Sequence, residues 1–300
     1  MPPVAMQSRV TYATVMDRPI GMFDSGFGGL TVARALIDLL PDEDLVYIGD
    51  TGRYPYGSRP QAEVREFARQ LAWSLVNDYD AKAIIVACNT AAAAALDELV
   101  TEMPVPVIGV IEPGARALVA ATRSGRVGVI GTVGTVMSGA YDRAVAHTRA
   151  SVVLTSAPCP GFVEFVERGQ TAGDEIAILA DRLLAPVKAA GVDTLLLGCT
   201  HYPYLARVIG QAMGPLVTLV SSADETAFVA RTQLGDAGLL RTSGLAAAEH
   251  RFLSSGDIGW FADLGRRLLG PELAHAGAWE PQDVDVAAAV LATSRPTTVH

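Results

Sequence analysis

Short apolar runs without polar alternation recur along the chain at residues 20–23, 45–48, 84–87 and 107–110, and again at 127–130, 152–155, 195–197 and 217–220. Continuous runs of this length fit strands buried on both faces, as in parallel sheets. Between them lie helical candidates, most clearly at 61–77, 174–190 and 205–213. Strands alternating with helices predict doubly wound parallel sheets. The second set of runs follows the first at a spacing of about 110 residues, which marks an internal duplication. The fold class expected is therefore α/β, with two similar doubly wound parallel-sheet domains related by pseudo-twofold symmetry and the site in the cleft between them.

After the second repeat, residues 221–226 read as a helix start, followed by a helix near 225–234, a strand-like piece at 251–254 and a helix at 258–269 that ends near Gly270. The helix at 225–234 has no counterpart in the repeat, and these elements are expected to cross back to the first domain. The expected partition is 19–111 plus 222–270 for the first domain and 112–221 for the second. Residues 1–18 form a loose extension, in which Met6 and Met16 allow an alternative start, and 271–300 form an irregular tail.

Two cysteines stand at matched places in this frame. Cys88 ends the run 84–87 and is followed by Asn89 and Thr90; Cys199 ends the run 195–198 and is followed by Thr200 and His201. In open parallel sheets the ligand crevice lies outside the carboxyl ends of the strands, where both thiols fall. Either cysteine alone reads as a packing residue. As a pair followed by hydrogen-bonding groups they read as activated thiols, able to address both faces of a planar carbanion. A metal site built from Cys88, Cys199 and His201 is the alternative, but the sequence has no Cys-x-x-Cys or His-x-x-x-His spacing to support it.

Other candidates sit on loops after strands. The turn Asp24-Ser25-Gly26-Phe27-Gly28-Gly29 precedes a helix near Leu30 and offers main-chain N–H groups to a carboxylate, or is simply a tight turn. It lacks the third glycine of a dinucleotide fingerprint. Asp24 ends its strand as a carboxylate beside the first thiol. Tyr54-Pro55-Tyr56-Gly57 and Gly131-Thr132-Val133-Gly134-Thr135 supply hydroxyls and amides. Glu167 reads as a solvated helix charge, and Cys159, between two prolines, as structural. No phosphate loop, no Gly-x-Ser-x-Gly elbow and no lysine near either cysteine is present, so no cofactor is expected.

Composition narrows the class. Of 300 residues, 50% are hydrophobic and 18% charged, and the formal net charge of -9 with a pI near 5.0 argues against nucleic-acid or membrane binding as the main role. Three cysteines are an odd and sparse set, which fits a reducing compartment. No apolar run approaches the roughly 18 residues of a membrane span, and a cytoplasmic enzyme is expected.

Phe23-Asp24-Ser25-Gly26, Pro55-Tyr56-Gly57, Cys88-Asn89-Thr90 and Gly198-Cys199-Thr200-His201-Tyr202-Pro203 together resemble the glutamate racemases of the aspartate/glutamate racemase superfamily, over about residues 20–270. The resemblance implies cofactor-independent interconversion of L- and D-glutamate for peptidoglycan, with Cys88 taking the α-proton of D-glutamate and Cys199 that of L-glutamate. It implies assisting roles for Asp24 and His201, with Glu167 behind the histidine. Asp24, Ser25, Tyr56, Gly57, Asn89, Thr90, Thr132, Thr200 and His201 are the implied substrate contacts. Relatives acting on aspartate tend to carry glutamate at the position of His201, so this residue favours glutamate. Glu164 departs from the family, where proline is frequent. Decarboxylases and isomerases of the superfamily that keep one cysteine fit less well, because both are present. The resemblance further implies a homodimer and, from reports on some members, a contact with DNA gyrase.

Overall fold

The computed structural model describes residues 15–242, 247–273 and 275–282. The expected extension at 1–18 and tail at 271–300 therefore fall largely outside the described residues.

Among the described residues ten strands are present: β1 (Ile20–Asp24), β2 (Leu45–Gly49), β3 (Ala83–Val86), β4 (Val107–Gly109), β5 (Arg126–Gly131), β6 (Val153–Pro158), β7 (Thr194–Gly198), β8 (Thr218–Ser221), β9 (His250–Ser254) and β10 (Ala276–Ala278). They form two sheets, one of six strands in the order β10-β9-β2-β1-β3-β4 and one of four in the order β6-β5-β7-β8. Every pairing is parallel. The order β2-β1-β3-β4 is repeated by β6-β5-β7-β8, so the duplication read from the spacing is a duplication of topology. β1, β2, β3 and β7 are buried at every position, which is why their sequences show no alternation.

The helices between strands are α1 (Leu30–Leu39), α2 (Gln61–Asn77), α3 (Asn89–Glu102), α4 (Ile111–Ala121), α5 (Val133–Met137), α6 (Ala140–His147), α7 (Phe162–Glu167), α8 (Asp174–Leu183), α9 (Ala185–Ala189), α10 (Ala206–Met213), α11 (Ala223–Asp236) and α12 (Ile258–Leu269). The single helix expected over 174–190 is two, α8 and α9, because Pro186 lacks the N–H a continuous helix needs and sits instead in the first turn of α9. The helix expected from residue 205 begins at Ala206, after a 3-10 turn at Tyr202–Leu205 that contains Pro203.

The segment from residue 271, expected to be irregular, contributes β10. Its Ala-Gly-Ala carries no apolar pattern. What holds it is the following Trp279, buried, whose indole N–H donates to Ser74 Oγ at 2.8 Å and whose main-chain N–H donates to the Ser254 carbonyl at 2.8 Å. The six-stranded sheet thus reaches beyond residue 270.

The end of the sheet away from the carboxyl termini is fastened by a buried charge pair. Lys82, just before β3, is 1% exposed and pairs with Glu43, just before β2. Its ammonium also donates to the Met16 carbonyl at 2.6 Å, and Glu43 accepts from the Arg241 main-chain N–H at 2.8 Å. Removing one member of a buried pair leaves the other charge without compensation. Lys82→Ala is expected to lower unfolding free energy by about 3–5 kcal/mol, measured by urea denaturation; a loss indistinguishable from that of a surface lysine would refute the pair's structural role.

Candidate active site

Both thiols lie at carboxyl ends of equivalent strands, two residues after β3 and one after β7. They open on one cavity of about 70 Å³ between the two sheets. At roughly 10–15 Å³ for each water, that is space for a small ligand and not for a polymer. Its wall contains Ser25, Tyr56, Gly57, Cys88, Asn89, Thr90, Thr132, Cys199, Thr200 and His201. Ten of the twelve residues expected from the sequence therefore share one wall. The other two, Asp24 and Glu167, stand one step behind it, each bonded to a wall residue.

The first thiol caps α3. Cys88 Sγ accepts from the Ala91 N–H at 3.4 Å and donates to Ser25 Oγ at 3.7 Å. Burial pushes its pKa up to about 12, the negative charge of Asp24 adds to that, and the two hydrogen bonds pull the other way. Burial thus favours the thiol form of Cys88 at neutral pH. No hydrogen bond joins it to Asp24, whose carboxylate accepts from the Gly26 N–H at 2.9 Å and from the Thr200 hydroxyl at 3.1 Å. Asp24 acts on this thiol through charge.

The second thiol has a different neighbour. Cys199 Sγ lies 3.9 Å from His201 Nδ1, and His201 Nε2 lies 2.7 Å from Glu167 Oε1. Burial opposes the imidazolium, but the hydrogen bonds to Cys199 and Glu167 outweigh it and raise the His201 pKa well above the imidazole range. Burial likewise raises the Glu167 carboxyl, with His201 drawing it down. Glu167, read from the sequence as a solvated charge or as a group behind the histidine, is the latter. It ends α7, 9% exposed.

The glycine turn after β1 serves close approach. A Cβ on Gly28 would lie 2.3 Å from His201 Nδ1 and 2.5 Å from Thr200 Oγ1, and one on Gly29 would lie 2.7 Å from Asp24 Cβ. The turn brings the first half onto the second, and only Ser25 of it reaches the cavity. Tyr56 lines the cavity, but its hydroxyl donates to the buried Asp50, so its ring and main chain face the ligand.

Hydroxyls cross between the halves as well. Thr90 and Thr132 are 2.9 Å apart, Thr135 lies within 3.0 Å of Thr132, and the Gly134 N–H donates to the Gly57 carbonyl at 2.9 Å. Thr135 belongs to a loop named from the sequence for its hydroxyls; Tyr141, whose hydroxyl donates to Asn89 Oδ1 at 2.5 Å, carries no such mark in the sequence. A tyrosine in an amphipathic helix reads as core.

Cys159, read as structural, also lines the cavity. It follows β6 as Asp50 follows β2, so its place at a strand's carboxyl end was available as a signal. Burial pushes its thiol up to about 12. Glu164, the departure from the family, lines the cavity too. Among the described residues no group of three His, Cys, Asp or Glu could hold a metal ion, and no helix is long and apolar enough to cross a membrane.

A neutral Cys88 thiol facing a sulfur beside a cation, with hydrogen-bond donors around them, is equipped to deliver a proton from one side and accept one on the other. The chain is similar in sequence and fold to known proteins. The model of the Asp/Glu/hydantoin racemase family matches residues 30–228. A glutamate racemase of Parafrankia sp. is 54% identical over 255 residues, covering 85% of this chain and 92% of the relative. The crystal structure of a glutamate racemase isoform from Bacillus anthracis superposes with a TM-score of 0.81 at 40% identity, over 89% of this chain and 98% of that one. A Francisella tularensis glutamate racemase in complex with D-glutamate gives a TM-score of 0.80 at 33% identity, over 91% and 99%.

Replacing Asp24 by Asn removes the charge that adds to burial in holding up the Cys88 thiol. In protein whose Cys159 and Cys199 are serine, thiolate absorbance is expected to titrate at a lower pH in Asp24→Asn than with Asp24 present. An unmoved midpoint would show that burial alone sets it.

Proposed function

The chain belongs to the Asp/Glu/hydantoin racemase family, and on that premise we propose that it is a cofactor-independent glutamate racemase working through Cys88 and Cys199. The observation that carries the reading is the pair of thiols at equivalent strand ends of one cavity, made unequal by their neighbours. The relative bound to D-glutamate supports the choice of substrate.

For L-glutamate, Cys199 as thiolate beside the His201 imidazolium takes the proton from Cα. The electron pair stays on Cα as a carbanion delocalised into the carboxylate. Cys88, which burial keeps protonated, gives its S–H proton to the opposite face, yielding D-glutamate. The sulfurs end with exchanged protonation states, ready for the reverse reaction, and no net proton is consumed. Glu167 holds the imidazolium through its 2.7 Å contact. Asp24 orients the Thr200 hydroxyl and biases Cys88 toward the thiol.

The α-proton of an amino acid is weakly acidic, so the carbanion needs fixed dipoles in a site without bulk water. Cys88 and Cys199 are 4% and 6% exposed, which supports such a site. Supply of D-glutamate to peptidoglycan by a cytoplasmic homodimer completes the reading.

Two experiments test it. In deuterated water, D-glutamate formed from L-glutamate is expected to carry deuterium at Cα while the remaining L-glutamate stays protiated early in the reaction; equal early labelling of both would mean a single base. Cys88→Ala and Cys199→Ala should each reduce racemisation in both directions by at least about a thousandfold, followed by circular dichroism without added cofactor. Wild-type rates in either variant would remove that thiol from the mechanism.

A further inference from the structure

Tyr141 belongs to α6, in the half of the chain that carries Cys199, and is 2% exposed. Its ring lies against Gly198, the residue before Cys199: a Cβ at that position would fall 3.0 Å from Tyr141 Cε2 and 2.7 Å from the Ile130 carbonyl oxygen. Its hydroxyl crosses to the other half and donates to Asn89 Oδ1, on the residue after Cys88, at 2.5 Å. One side chain thus touches the sequence neighbour of each thiol.

The contact also decides what Asn89 offers. Its Oδ1 is occupied by Tyr141, and its Nδ2 is buried with no hydrogen-bond partner, although Asn89 lines the cavity. A buried amide donor without a partner is rare because the lost hydrogen bonds to water are not replaced. An anionic ligand oxygen in the cavity would complete it. Burial, with the charge of Cys199 adding to it, raises the Tyr141 phenol far above its usual range, so this hydroxyl stays a donor at all working pH values. With the phenol hydrogen on Oδ1, the hydrogen bond favours the amide orientation that leaves Nδ2, and not the oxygen, for the ligand.

We infer that Tyr141 is a positioning residue: by donating to Asn89 Oδ1 it keeps Asn89 Nδ2 aimed into the cavity as a carboxylate donor, while its ring, packed on Gly198, holds the two thiol-bearing segments together. The inference rests on the racemase reading for the identity of the ligand.

The test is Tyr141→Phe, which keeps the ring on Gly198 and removes only the hydroxyl. The affinity for racemic glutamate by calorimetry and KM for each enantiomer by circular dichroism are expected to weaken by about tenfold, with kcat changed no more than about twofold. A ring that serves only packing would move neither quantity. Asn89→Ala should weaken binding as well, and adding Tyr141→Phe to it should bring no further loss, because the phenol acts through the amide. Unchanged affinity in Tyr141→Phe, or losses that multiply in the double variant, would overturn the inference while the racemase reading stands. Wild-type protein that binds no glutamate would overturn both.

Discussion

A carboxylate with no exposed surface sits where the two halves of this chain meet, and the neighbouring geometry follows from satisfying it. Asp24 ends β1 and takes the Gly26 N–H from its own turn and the Thr200 hydroxyl from the loop that follows Cys199. Burying a charge without such partners is expensive, so the second bond works as a constraint on both loops. It holds Thr200 against the first half, which requires the first half to come close. Gly28 permits that approach by having no side chain where His201 and Thr200 pass. His201 is then fixed between Cys199 and Glu167.

The duplicated frame makes the thiols equivalent in place, and local chemistry makes them unequal in surroundings. Cys88 caps a helix, touches Ser25 and has Asp24 for its charged neighbour, a combination in which burial prevails and the proton stays on sulfur. Cys199 adjoins a histidine that its partners keep cationic.

The parts of this arrangement legible in the sequence were those carried by local pattern. Continuous apolar strands located the sheets, their spacing gave the repeat, and residues immediately after strand ends supplied the cavity wall. What escaped depends on contacts between distant segments. Tyr141 meets Asn89 across 52 positions, and nothing beside it in the chain marks its hydroxyl as anything but a core tyrosine's. β10 is held by Trp279 reaching Ser74 rather than by its own Ala-Gly-Ala. Cys159, between two prolines, reads as structural, although its counterpart after β2 is a buried Asp50 with an orienting role of its own. A duplicated frame preserves positions more faithfully than residue types.

The cavity wall contains no lysine or arginine, which is unusual for a site that is to hold an acidic amino acid. The reaction gives a reason. Substrate and product are mirror images of equal free energy, so a site that gripped one enantiomer much more tightly would slow release of that form without lowering the barrier between them. A strong bidentate clamp fixes orientation and favours one hand. On the proposed reading, hydroxyl and amide donors contributed from both halves at equivalent strand ends let the carboxylates shift as Cα passes through planarity. Where burial lowers the local dielectric, each such donor is worth more than in solvent. The duplication of the fold and the spread of these donors over both halves thus answer the same requirement, that two mirror-image ligands be held almost equally well.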